Sequence, residues 1–177
     1  NSIESPLAAD VYNNMGNTLN YLGRYKEGAK CHEKSLALCL KFYGKDHPYV
    51  ADSYNNLGVS YAGNLDFEKA VNYFKKGLEI RINTYGESHP LVVNSLMNIA
   101  NQVDNMGEPE KAIEYLKKGL DILHKIFTDE NHIEIIMLLT NIGTVYIEMK
   151  EYDKALEYFE KANKTTRKKK ECFGGKR

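Results

Sequence analysis

The 177-residue chain has no tryptophan, four prolines and three cysteines, and each scarcity removes a class of protein. Cys31, Cys39 and Cys172 are too few for a disulfide framework. On one helix Cys31 and Cys39 would stand about 12 Å apart, beyond the span of a disulfide. Unpaired thiols of this kind point to a cytoplasmic protein. No apolar run is long enough to cross a bilayer, and the start, Asn1-Ser-Ile-Glu-Ser-Pro6, has neither the basic nor the apolar region of a secretory signal. Net charge is also missing: 24 Lys and Arg balance 24 Asp and Glu. The balance is uneven along the chain, because from Lys164 onward seven cations accompany one acid, Glu171. What is present is enough apolar material for a core, 42% hydrophobic and 11% aromatic residues, which excludes a disordered or low-complexity chain.

The sequence repeats. Tyr12-Asn-Asn-Met-Gly16 returns 42 residues later as Tyr54-Asn-Asn-Leu-Gly58, then as Leu96-Met-Asn-Ile-Ala100, and after one inserted residue as Leu139-Thr-Asn-Ile-Gly143. Between copies, Tyr43-Gly-Lys-Asp-His-Pro48 returns as Tyr85-Gly-Glu-Ser-His-Pro90 and decays to Phe127-Thr-Asp-Glu-Asn-His-Ile133. Within each copy two segments carry apolar residues at i, i+3, i+4 and i+7, as in Tyr54, Leu57, Tyr61 and Phe67, Ala70, Val71, Phe74, Leu78, so each copy is a helical hairpin. Turns are expected at Gly23, Gly63-Asn64, Gly107-Glu-Pro109 and Lys150-Glu151. Gly44 and Gly86 are expected to close second helices, with Pro48 and Pro90 opening the next. Small residues recur where two helices must approach: Gly16, Gly58, Ala100, Gly143; Gly28, Ala70, Ala112, Ala155; and Ser35, Gly77, Gly119, Ala162.

This pattern, an aromatic or Leu, then Leu-Gly, an aromatic three later, Ala twelve after the Gly and an aromatic four beyond, resembles the tetratricopeptide repeat. The 42-residue unit with Tyr-Gly-x-x-His-Pro between hairpins resembles the kinesin light chain type of that repeat. The resemblance implies an all-α, right-handed superhelical solenoid of four hairpins, with first helices lining a concave groove and second helices outside. The expected layout is a single domain over 1–170, with repeats at about 8–50, 51–92, 93–135 and 136–170 and a basic flexible tail at 171–177. A start without Met and the lack of an extra capping helix suggest a piece of a larger protein.

No catalytic constellation stands out. Gly174-Gly175-Lys176 lacks the upstream Gly and following Ser/Thr of a phosphate-binding loop. His47 and His89 precede proline at one repeat position and read as helix starts. His32, His124 and His132 have no metal-ligand spacing, and Asp129-Glu130 and Glu108-Glu110 read as solvated loop charge. The expectation is therefore no enzyme, no metal and no cofactor. The tail Thr165-Thr-Arg-Lys-Lys-Lys170 reads as a solvated helix end, with neither nucleic acid nor membrane as partner.

Asparagine is the departure from pattern. Of 17, eleven fall on first helices and three, Asn72, Asn83 and Asn163, on second helices, although Asn is a poor helix former. At 100° per residue Asn94, Asn98, Asn101 and Asn105 form a line opposite the core positions Leu96, Ile99, Ala100 and Val103. The same face presents Asp10, Asn13, Asn14, Asn17 and Tyr21 in the first copy, Asp52, Asn55, Asn56, Val59 and Gly63 in the second, and Met137, Thr140, Asn141, Thr144 and Glu148 in the fourth. Asn14, Asn56, Asn98 and Asn141 are one repeat position. Two readings stand for these four: a carboxamide ladder for the main chain of an extended peptide, or hydrogen bonds that set the stacking of adjacent hairpins.

Asparagines alone cannot hold a ligand: four to six hydrogen bonds at about 0.5–1.5 kcal/mol each stand against an association cost of roughly 4–15 kcal/mol. An apolar anchor against Tyr21, Val59 or Met137 is needed. Some tetratricopeptide domains grip a chaperone's C-terminal carboxylate through groove lysines and an arginine. This face has no Lys or Arg but has Asp10, Asp52 and Glu148, which favours a neutral or basic-leaning ligand. The function expected is a non-catalytic scaffold that binds an extended peptide in an Asn-lined groove. The alternative is a structural unit whose end hairpins stack weakly on another copy.

Overall fold

A computed structural model describes residues 5–127 and 132–173. It contains eight α-helices: α1 Pro6–Tyr21, α2 Tyr25–Tyr43, α3 Pro48–Gly63, α4 Phe67–Tyr85, α5 Pro90–Asn105, α6 Pro109–Ile126, α7 Ile133–Glu148 and α8 Tyr152–Phe173. No strand occurs among the described residues. Consecutive helices pair as four hairpins, α1/α2, α3/α4, α5/α6 and α7/α8. The hairpins form two compact units, Asn1–Glu87 and Ser88–Arg177, each holding two. Asp129-Glu130 and the end of the expected tail, 174–177, lie outside the described residues, while α8 continues to Phe173.

The helix ends follow the repeat. Pro48, Pro90 and Pro109 stand in first turns, where the missing N–H costs nothing. His47 and His89 are N-caps, each accepting through Nδ1 a hydrogen bond of 3.2 Å from the backbone N–H of Tyr49 or Leu91. Their position before proline is thus a helix start. Gly44 and Gly86 close α2 and α4 at φ 83° and 81°, as expected of residues at that place.

One turn differs from expectation. The left-handed residue of the hairpin turn is Gly23 in the first copy and Gly107 in the third, but Leu65 in the second and Lys150 in the fourth, with φ 62° and 61°. Gly63 ends α3 instead, because the Tyr25 ring lies against it: an added Cβ would meet that ring at 2.3 Å. Gly63 is therefore a packing position and does not belong to the open face that its helical register predicts.

In three of the four hairpins a ring of the second helix is pressed on a glycine of the first, whereas the third has Leu116 and Ala100, both buried, at these positions. An added Cβ on Gly58 would meet the Phe74 ring at 2.5 Å, and on Gly143 the Phe159 ring at 2.7 Å. The first copy carries His32 at this position, 2.5 Å from the Cβ that Gly16 lacks. The twelve small positions are buried throughout. Tyrosine pairs repeat beside them, Tyr61 on Tyr73 at 5.3 Å and Tyr146 on Tyr158 at 5.5 Å between ring centres. Within the first unit, Ala9, Cys39, Val50, Ala51 and Ile80 form a shared core between hairpins.

His32 is fully buried, and neither ring nitrogen has a hydrogen-bond partner among the described residues. Burial pushes its pKa down to about 4, so the ring is neutral in the folded chain at pH 7.

This packing has two measurable consequences. Gly58→Ala forces the added methyl into the Phe74 ring and lowers stability by about 1–3 kcal/mol, measured by chemical denaturation. For His32 the folded-state pKa lies below the unfolded value near 6.5. Stability is then constant above that value and falls as pH drops toward 4, by on the order of 3 kcal/mol. His32→Phe, the residue type found at positions 74 and 159, removes this effect. A pH series of unfolding midpoints should show the variant less acid-sensitive than the parent, and equal slopes would contradict it.

Candidate functional site

The face opposite the core of the first helices is open in both units. None of the twelve candidate residues is buried: Asn14, Tyr21, Asp52, Asn94, Asn101 and Asn105 are exposed, and Asn13, Asn17, Asn55, Asn56, Asn98 and Asn141 are half-buried. On α5 the core residues Leu96, Ile99, Ala100 and Val103 are all buried, so the two sides of that helix separate as its periodicity requires.

In the first unit part of the carboxamide row is used between hairpins. Asn56 Nδ2 donates to Asn13 Oδ1 at 2.6 Å, joining α3 to α1. Asn20, outside the candidate set, donates to Ser60 Oγ at 2.9 Å, while Ser60 Oγ lies 3.2 Å from Asn20 Oδ1 and 3.1 Å from the Asn56 carbonyl. Asn56 thus has the stacking role at that repeat position. The rest of this face, Asn14, Asn17 and Tyr21 on α1 with Asn55 and Val59 on α3, keeps access to solvent, Tyr21 being 92% exposed.

Asp52 is not a free anion. Arg81 Nη2 of α4 donates to its Oδ1 at 2.9 Å; the Arg81 side chain is buried while Asp52 remains open to solvent. Nothing in the repeat pattern marks Arg81, since its partner lies on another helix 29 residues away.

In the second unit Asn94 and Asn101 are exposed and have no hydrogen-bond partner among the described residues. Asn105 Nδ2 makes a long 3.4 Å contact to Gln102 Oε1. On α7 Met137, Thr140 and Thr144 are exposed, and both threonine hydroxyls bond back to carbonyls of their own helix. At the far end of this face Asp104 of α5 meets Glu148 of α7. Partial burial, then the neighbouring Glu148 charge and a hydrogen bond to it, push the Asp104 carboxyl up to about 6. Glu148 belongs to the predicted face, whereas Asp104 escapes sequence reasoning, because these two do not share a repeat position.

A separate cleft of about 440 Å³ among α6, α7 and α8 is lined by Leu120, Ile135, Leu139, Tyr158, Lys161 and Lys164, with His124 and Thr165. None of the twelve candidate residues lines it.

A model of the tetratricopeptide repeat matches residues 7–83, 56–125 and 105–167. The chain belongs to the tetratricopeptide repeat family. Its structure is similar to that of a kinesin light chain with nearly identical tetratricopeptide-like repeats, putative in its description, from Podosopora anserina. That match has a TM-score of 0.81 and 20% identity over 96% of this chain and 80% of that one. BtubC (BKLC) from P. vanneervenii matches with a TM-score of 0.82 and 20% identity, over 98% of this chain and 67% of that one. The apo form of RapI gives 0.76 and 22%, over 97% of this chain and 59% of that chain's length. At these identities the likeness shows the fold alone. No curated protein matches the chain. Repeats of this family typically build protein-interaction scaffolds rather than catalysts. No helix among the described residues is long and apolar enough to cross a membrane.

The Asp104–Glu148 contact carries a pH signature. A carboxyl whose folded-state pKa is raised above its unfolded value contributes most stability at low pH, and that contribution is lost as pH rises through about 6. Asp104→Asn should therefore stabilise the chain more at pH 7.5 than at pH 5, read as the difference in denaturation midpoint from the parent. An equal gain at both values would show that the two carboxyls do not interact.

Proposed function

We propose that this chain is a non-catalytic interaction module that takes an extended peptide segment along the open side of its first helices. The observation that supports this most is the state of Asn94 and Asn101. Two poor helix formers sit on an exposed helix face, each with an amide and a carbonyl that no described residue engages. A peptide main chain presents the complementary N–H and C=O groups whatever its side chains. Exposed apolar side chains lie on the same faces, Tyr21 and Val59 in the first unit and Met137 in the second, and supply the anchor that hydrogen bonds alone do not.

Charge narrows the ligand. The second unit's face ends at the Asp104–Glu148 pair, and in the first unit Arg81 is already engaged by Asp52. A peptide with a neutral or basic centre suits both faces, and an acidic C-terminal tail suits neither. The affinity expected is micromolar, since a few net hydrogen bonds and one apolar anchor offset the association cost only modestly.

A peptide-library pulldown followed by calorimetry tests this. Asn94→Ala with Asn101→Ala should weaken the selected peptide about tenfold or more while leaving helix content and melting temperature essentially unchanged. Undiminished binding by the double variant would refute the groove reading.

A further inference from the structure

The cleft among α6, α7 and α8 has a counterpart in the first unit, where α2, α3 and α4 meet and a tyrosine ring takes the space. Tyr54 of α3 packs there with Leu36 of α2 against a core that includes Val50 and Ile80. Its ring lies on that of Tyr73 with 6.1 Å between centres, and Lys76 Nζ stands 5.6 Å from its centre. Val50 and Ile80 share their core with Ala9 and Cys39 of the first hairpin, so this side of the second hairpin faces the hairpin before it.

In the second unit half of these positions keep their chemistry. Leu36 returns as Leu120, Val50 as Ile135, Tyr73 as Tyr158 and Lys76 as Lys161, whose Nζ again stands over the tyrosine, 4.9 Å from the ring centre. The other half change in two consistent directions. Tyr54 is replaced by Leu139 and Ile80 by Thr165, which removes a ring and part of an apolar wall. Glu79 is replaced by Lys164 and Leu40 by His124, which removes the acid and adds a cation. The product is a cleft of about 440 Å³ that no acidic residue lines. Ile135 and Thr165 are buried like Val50 and Ile80, and Leu120 and His124 of α6 form the facing wall. The cleft therefore lies between the two hairpins of its unit, on the inner side of α7 and α8.

We propose that this cleft binds a small aromatic carboxylate, its ring in the place that the Tyr54 ring holds in the first unit and its acid on Lys164. Tyr158 and Lys161 retain the ring face and the cation between which Tyr54 is held, and an aromatic ligand uses both. Lys161 is already engaged by Glu157 at 2.7 Å, so the ligand's acid is assigned to Lys164, where the first unit has Glu79. Apolar walls with a few polar groups, in a volume of this size, are what small-molecule sites have. No residue of the carboxamide rows takes part, so the site stands apart from the peptide reading.

Titration of the whole chain with hydrocinnamate, followed by backbone-amide NMR, tests this. Shifts should saturate in the millimolar range expected for so small a ligand. They should concentrate at Leu139, Tyr158, Lys161 and Lys164, while the matching positions Tyr54 and Glu79 stay unmoved. Two substitutions bring back residues that the first unit carries and therefore suit the fold. Leu139→Tyr fills the ring's place and should abolish binding. Lys164→Glu should weaken the acid about tenfold and leave hydrocinnamyl alcohol, the ring without the charge, unaffected. Propanoate, the charge without the ring, should cause no saturable shift at these residues. A folded Leu139→Tyr chain that binds like the parent overturns the inference. Equal binding of acid and alcohol by the parent, or of propanoate and hydrocinnamate, also overturns it, because the cleft would then select neither charge nor ring.

Discussion

A ring set on a residue with no side chain is the contact on which three of the four hairpins depend, Leu116 and Ala100 taking its place in the third. Phe74 on Gly58 and Phe159 on Gly143 bring the two helices closer than any larger residue would allow, and the dispersion attraction at that close approach offsets the helix-weakening effect of glycine. His32 on Gly16 keeps the shape of that contact at the cost of two buried ring nitrogens without hydrogen bonds. Once the ring fixes how deeply the helices interlock, the other small positions and the stacked tyrosines fall into contact, and the sides of the first helix acquire separate roles.

One side meets the second helix of its own hairpin, and a second side meets a neighbouring hairpin. In the first unit this second side is partly polar, with Ser53, Ser60, Asn13, Asn20 and Asn56 making short-range bonds that fix register. In the second unit it is apolar, through Leu138, Ile142 and Val145. The remaining side is open to solvent and carries the exposed asparagines Asn14, Asn94, Asn101 and Asn105. Helix propensity does not favour such residues there, and the proposed peptide reading rests on them.

Much of this was legible in order along the chain. The 42-residue echo, the helical spacing within each copy, the proline and histidine at helix starts and the small positions all depend on local chemistry or on simple periodicity, and the structure agrees with each. What escaped was set by pairs distant in sequence or by broken habit. Leu65 and Lys150 occupy a left-handed turn position without the glycine that marks it in the other copies, so the glycine signal points to Gly63, which serves the Tyr25 ring instead. His32 reads as a lone histidine because its side chain hides its place in the aromatic series. The pairs Arg81–Asp52 and Asp104–Glu148 join positions that are not repeat equivalents, and periodicity carries no information about them.

The most direct test of the ring-on-glycine contact is a double-mutant cycle between Gly58 and Phe74. If the ring is what excludes a side chain at position 58, trimming it with Phe74→Leu should make Gly58→Ala much less costly, giving a coupling energy of about 1 kcal/mol or more by equilibrium denaturation. Strict additivity of the two substitutions would mean that the helices are spaced by something else, and would contradict the account from the hairpin upward.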